Sequence, residues 1–202
     1  MKTLIAIIIY FLIKSGKSES TINTDRPIPP TNYDAIKDRY DILIKKYAVI
    51  YKIPWQVIKA HIAIESEYGT TPQVMEKKIG SGNKRGILGI TENTFYALNK
   101  MVNGNFKPED LWKPEVSIEL ASALTKSNSI SITKDSEFFT RDYSNYTEAQ
   151  RERQKELLAK VVMAYHAGAG TVINNTYSQS TKDYFKNWTI ALKEISERQG
   201  AI

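Results

Sequence analysis

Apolar positions fall into two regimes along the chain. From Leu4 to Ile13 they are continuous apart from Tyr10, and Lys2 and Lys14 flank them. From Tyr33 onward they recur three and four apart with polar positions between them. The first regime is too short to cross a bilayer, which takes about 20 apolar residues. Ten, with a basic start, fit the central region of a secretory signal, and an uncleaved short anchor or a buried segment fits as well. Residues 15–32 are polar and end in Pro27, Pro29 and Pro30, a composition that reads as an extended linker. The division is therefore 1–14 as signal or anchor, 15–32 as linker and 33–202 as the folded domain.

Within that domain the spacing predicts helices. Ile36, Tyr40, Leu43, Tyr47 and Ile50 form one stripe of an amphipathic helix. Pro54 suits the first turn of a second helix that reaches Ser66, with Gly69 placed to stop it. Residues 79–90 carry Gly80, Gly82, Gly86 and Gly89 and predict loops or a small hairpin. Thr91 can cap a helix bearing Phe95 and Leu98, and another helix spans Pro114 to Ser127. Thr147-Glu-Ala-Gln150 is a capping box opening a helix to Ala167. Thr181 is placed to cap a last helix with the stripe Phe185, Trp188, Leu192 and Ile195. Long alternating strand patterns are absent, so the fold class is mainly α with one short irregular or β insert.

Composition narrows the chemistry. The 202 residues are 42% hydrophobic and 25% charged, enough for one core-bearing domain. Cys is absent, which excludes disulfides, thiolate zinc and a Cys nucleophile. Only His61 and His166 are present, too few for a multi-His metal site, so neither metal nor cofactor is expected. The net charge of +6 favours an anionic partner. Nucleic acid is not expected, because there is no Arg-rich helix or aromatic-basic strand motif. The Gly80–Gly86 segment lacks the Gly-Lys-Ser/Thr ending of a phosphate loop.

Glu65 ends the apolar segment Ile53–Ser66 and lies below Ile62, His61 and Ile58 at helical spacing. Taken alone, a last-turn Glu is most often an exposed one. On an apolar stripe it would lose hydration, and its raised pKa would make it a general acid. His61 reads as a packing residue and His166 as a structural one. Lys77, Lys78, Lys84 and Arg85 form a basic cluster that is either a solvated loop or an attractant for carboxylates. Phe138, Phe139, Tyr143 and Tyr146 either stack on sugars or build a local mini-core.

Four separated segments read together say more. Glu65-Ser66 is followed by Gly86-Ile-Leu-Gly-Ile90, then Ala164-Tyr-His-Ala-Gly168, then Thr181-Lys-Asp-Tyr184. Their order and spacing resemble the soluble lytic transglycosylase family, related to goose-type lysozyme. That family shows Glu-Ser, Gly-Leu-Met-Gln-hydrophobic, Ala-Tyr-Asn-Ala-Gly and Thr-x-x-Tyr. The resemblance covers residues 53–188 and implies a lysozyme-like α domain with the insert in its cleft. It implies Glu65 as single catalytic acid/base and Tyr165 beside it. Ser66, Gly86, Ile87, Leu88, His166 and Tyr184 would be on the substrate side. The chain departs from the pattern at Gly89, where the family has Gln, and at His166, where it has Asn.

The resemblance further implies peptidoglycan glycan strands as partner. Glu65 would protonate the oxygen between N-acetylmuramic acid and N-acetylglucosamine, and the same sugar would close on itself as a 1,6-anhydro end. A muramidase that hydrolyses the same bond, or an inactive wall-binding protein, is the alternative. Glu67 and Glu92 are the candidates to hold a water, though solvated surface charges are the usual reading. The expected location is the bacterial envelope, with residues 4–13 as export or membrane signal, or a phage virion.

Overall fold

The computed structural model describes residues 32–198, so the apolar run at 4–13 and the linker lie outside the described residues. Helices dominate: α1 (Asn32–Asp38), α2 (Asp41–Tyr51), α3 (Trp55–Ser66), α4 (Pro72–Met75), α5 (Glu92–Met101), α6 (Pro114–Thr133), α7 (Glu148–Ala167), α8 (Ala169–Ile173) and α9 (Gln179–Arg198). Short 3-10 turns occupy Ser81–Asn83 and Pro108–Trp112. Pairing of extended backbone among the described residues is confined to one antiparallel bridge, Arg85 with Ile90. The mainly α reading, with a small irregular insert, is the architecture found.

α3 is the central helix. Val57, Ile58, Lys59, Ala60, His61 and Ile62 are all buried, so it is covered nearly all round rather than along one stripe. α9 lies along it, with α2 and α6 on other sides. The Trp188 indole of α9 donates to the Val57 carbonyl at 3.4 Å, tying the two helices inside the core. Whatever stands at the last turn of α3 is therefore drawn out of water.

The first predicted helix is two. The chain breaks at Arg39–Tyr40, and Ile44 N–H donates to the Tyr40 carbonyl at 2.9 Å to start α2. The buried face of α2 is Ile44, Tyr47 and Ala48, whereas Ile36 and Ile50 are exposed. The break is pinned by Lys59. This α3 side chain is 1% exposed and reaches Asp38 at 2.6 Å and Asp41 at 2.7 Å, one acid on each side of the break.

Caps are where the local code works. Thr91 accepts from the Thr94 N–H, and both bonds of the Thr147–Gln150 box form. α6 runs to Thr133, six residues past the expected end. Its second half is Ser-, Thr- and Ile-rich, a weak helix former by propensity. Three hydroxyls along α6 are absorbed by the helix itself: Ser122, Thr125 and Thr133 donate to the carbonyls of Ile118, Ala121 and Ser129. α9 starts at Gln179, and Thr181 is buried in its first turn instead of preceding it. Phe138, Phe139 and Tyr143 are 1–2% exposed and belong to the main core, with Tyr146 partly buried against it, so these three rings are core packing and not a separate mini-core.

Candidate functional site

Three segments converge at the end of α3. Glu65 supplies a carboxyl that is 11% exposed. Burial pushes its pKa above the ordinary value, while the Lys84 ammonium and a hydrogen bond from Tyr184 pull the other way. Lys84 stands 4.0 Å from Glu65 Oε2, at the limit of an ion pair. The net direction is upward, so desolvation wins.

The helix stops abruptly after Glu65-Ser66. Glu67, Tyr68 and Gly69 all have positive φ, at 48°, 59° and 77°. Ser66 organises this turn: its hydroxyl donates to the Ile62 carbonyl and accepts the Gly69 N–H. The Ser66 side chain is fully buried, so its chemistry is spent on the backbone and not on a ligand.

The loop Gly86–Gly89 covers this end of α3, closed by the two bridge hydrogen bonds between Arg85 and Ile90. Ile87 and Leu88 are core residues at 2% and 0% exposure, so their side chains point away from solvent. What the loop turns toward Glu65 is backbone, at Gly89. Gly86 is required by packing: a Cβ there would lie 2.2 Å from the Leu111 carbonyl oxygen. Gly89 faces the acid itself. A Cβ there would lie 2.7 Å from Glu65 Oε2, and its φ of +57° is in the left-handed region.

The two tyrosines hold different positions around Glu65. Tyr165 of α7 donates its hydroxyl to the Leu88 carbonyl at 3.0 Å, so it anchors the loop. The negative charge of Glu65 raises its pKa after burial has done most of that. Tyr184 of α9 is the tyrosine whose hydroxyl faces Glu65, and burial with that carboxylate raises its pKa well above the usual value. Its hydroxyl also lies 2.8 Å from His61 Nδ1. His61 is buried against both, stacked on the Tyr165 ring at 4.1 Å. His166 is exposed at the rim and stacks on Tyr184 at 4.7 Å. Burial and Lys84 hold its pKa below the ordinary value.

The other candidates disperse. Of the basic cluster, Lys78 pairs with Glu76 and Arg85 with Glu92, leaving Lys84 as the cation near Glu65. Glu92 is engaged by Arg85 at 3.1 Å and by the Tyr96 hydroxyl at 3.4 Å. Glu67 lines a different groove, with Ile36, Tyr68 and Ile190. Among the described residues no group of three or more His, Asp or Glu is arranged to hold a metal.

The family described as the transglycosylase SLT domain matches residues 42–188, well over half of the chain. The chain belongs to the transglycosylase SLT family. Peptidoglycan is the polymer on which such a domain acts. The SLT match begins at Ile42, just inside α2, and ends at Trp188, the residue tying α9 to α3. It therefore spans every segment that meets at Glu65. A comparison with curated proteins finds no match. Among the described residues no helix is long and apolar enough to cross a membrane.

Sequence reasoning missed two members of the site. The sequence reads His61 as packing, and its only signal for more is an imidazole four residues before the acid on the same helix. Gly89 was read as a lost amide. Nothing in the local sequence marks it as the residue against which the carboxyl rests.

Proposed function

We propose that this protein is a peptidoglycan lytic transglycosylase in which Glu65 is the single acid/base. The observation that carries the reading is the desolvated Glu65 carboxyl at the end of the central helix, with a raised pKa and Lys84 as the charged group acting on it. A protonated carboxyl near neutral pH can donate to the oxygen linking N-acetylmuramic acid to N-acetylglucosamine. The substrate's acetamido carbonyl then stabilises the developing cation. The ionised Glu65 takes the proton of the sugar's 6-hydroxyl, and that oxygen closes the 1,6-anhydro ring. A hydrolase that flanks the bond with two carboxylates needs a second one. Glu92 is engaged by Arg85, and Glu67 lines another groove, which favours the one-carboxylate route.

The proposed active site is the α3 end, where Gly89 and Tyr184 lie against Glu65 and His166 stacks on Tyr184. Glu65→Gln keeps the shape and removes the proton, so turnover of isolated sacculi should fall by about 10²–10⁴-fold. Mass spectrometry of the released muropeptides should show 1,6-anhydro ends from the wild-type enzyme. Reducing muramic acid ends would convert the reading to a muramidase, and full activity in Glu65→Gln would remove the assignment.

A further inference from the structure

Lys84 brings a cation to the acid without bonding to it. Its ammonium lies 4.0 Å from Glu65 Oε2, beyond hydrogen-bond length, and this is its one ion-pair contact among the described residues. An ammonium carries three donors. Among the described residues Lys84 spends none of them on a hydrogen bond, and its side chain is 37% exposed, so they stay open to a ligand.

The fold fixes this placement. The Lys84 carbonyl accepts the Gly80 N–H at 2.9 Å, and the next residue, Arg85, exchanges two backbone hydrogen bonds with Ile90. The backbone at Lys84 is extended, with φ −67° and ψ 135°, and extended backbone turns successive side chains to opposite sides. Arg85 goes to Glu92 at 3.1 Å, and Lys84 goes to Glu65. Gly89 leaves the room. A Cβ there would stand 3.6 Å from Lys84 Cδ and 2.7 Å from Glu65 Oε2, so any side chain at 89 would share the space of both.

To donate a proton Glu65 must be neutral. Lys84 then keeps its charge with no ionised carboxylate within 4.0 Å among the described residues. A polymer of N-acetylglucosamine alone has no anion to offer it. Muramic acid has one: its lactyl arm ends in a carboxyl, free on a bare strand and continued on a substituted one by a stem peptide with carboxylates of its own. We propose that Lys84 is a carboxylate-binding point beside the acid, which takes the lactyl or stem carboxylate of the muramyl residue and makes the site prefer muramyl saccharides to neutral N-acetylglucosamine oligomers. The inference rests on the reading of the α3 end as the saccharide site. An ammonium–carboxylate contact is a charge-assisted hydrogen bond, stronger than the neutral bonds a sugar hydroxyl makes. It also offsets the Lys84 charge that opposes protonation of Glu65, so the anchored substrate suits the acid form.

Equilibrium binding by calorimetry tests the inference, in the full chain carrying Glu65→Gln so that probes are bound and not consumed. That background also removes the Glu65 charge, so an effect of Lys84 cannot pass through the acid. The probes are three tetrasaccharides: alternating N-acetylglucosamine and N-acetylmuramic acid with free lactyl carboxylates, the same strand carrying stem peptides, and chitotetraose. Lys84→Met should weaken at least one muramyl probe by about tenfold, the size of one charge-assisted hydrogen bond, and leave chitotetraose unchanged. Lys84→Arg should keep the muramyl binding. Loss confined to the bare strand assigns the lactyl carboxylate, and loss confined to the peptide-bearing strand assigns the stem. Lys78→Met removes an equal charge at an exposed residue paired with Glu76 and should change neither. Unchanged muramyl binding in Lys84→Met overturns the inference, as does equal weakening of chitotetraose or equal weakening in Lys78→Met. Any of these results beside normal turnover of sacculi by the wild type sinks this inference alone. Failure of all three probes to bind sinks the site reading with it, whereas a Glu65→Gln that consumes them sinks only the acid assignment.

Discussion

At Glu65 burial and charge pull in opposite directions, and burial prevails. Its carboxyl therefore binds a proton more tightly folded than unfolded. The stability this contributes is present below the ordinary value of 4.5 and is lost as pH rises through the folded value. Glu65→Gln cannot ionise. Its Tm should equal that of the wild type in acid and exceed it at pH 7, measured by calorimetry across that range. Such a gain on removing a functional group is the usual stability–activity exchange. Gly89 tests the neighbouring contact. In Gly89→Ala the new methyl would press on Glu65 Oε2 from 2.7 Å and hold a left-handed φ. The backbone term costs about 1–2 kcal/mol. The displaced acid should matter more, because a misplacement near 1 Å can cost about 100-fold. We expect kcat/KM to fall at least about tenfold while the urea midpoint moves modestly.

Elements are joined here by charges as well as by apolar faces. Lys59 rises from the central helix into the gap between α1 and α2 and is almost wholly enclosed. Asp41 is largely buried and Asp38 half-exposed, so removing the cation strands one enclosed carboxylate and one wet one. Burial raises the Asp41 pKa even with Lys59 present, its hydrogen bond and charge only partly offsetting it. Breaking a buried pair from one side costs about 3–5 kcal/mol, and the exposure of Asp38 puts Lys59→Met toward the lower end. Urea denaturation at pH 7 measures it. The variant should lose less stability at pH 4, where Asp41 can protonate. Equal loss at both pH values would show the Lys59 stem, and not its charge, to be what holds the break.

Over the whole molecule two buried groups set opposite pH dependences. Glu65 favours acid, as above. His61 opposes it: its folded pKa is pushed from the ordinary 6.5 down to about 3 by burial. A depressed value means that the stability is present above about 6.5 and is lost as pH falls toward the folded value. The steep part of that loss is about 1.4 kcal/mol per pH unit for one group. Below 4.5 the gain from Glu65 is complete, while the loss from His61 continues toward about 3. The wild-type urea midpoint should therefore fall from pH 4.5 toward pH 3. In His61→Leu that fall should flatten, whatever the variant's stability at pH 7. A parallel fall would place the acid sensitivity elsewhere.

Much of this molecule is written locally. Thr91 and the Thr147–Gln150 box cap the helices they were expected to cap, because a cap is decided by residues three apart. The stripe Trp188, Leu192 and Ile195 is buried because helical period alone puts those residues on one face. Glu65 on an apolar helix was legible for the same reason. What the sequence could not decide is which partners meet. The break before α2 depends on Lys59, about twenty residues away, and the reach of α6 to Thr133 depends on burial that overrides weak propensity. Tyr165 and Tyr184 are alike in sequence, each a tyrosine in a helix. Packing sends one hydroxyl to the Leu88 carbonyl and the other to His61 and Glu65. Those contacts join residues 77 and 123 positions apart. Local periodicity states which face of a helix turns inward, and only the crossing of α3, α7 and α9 determines what each inward atom touches.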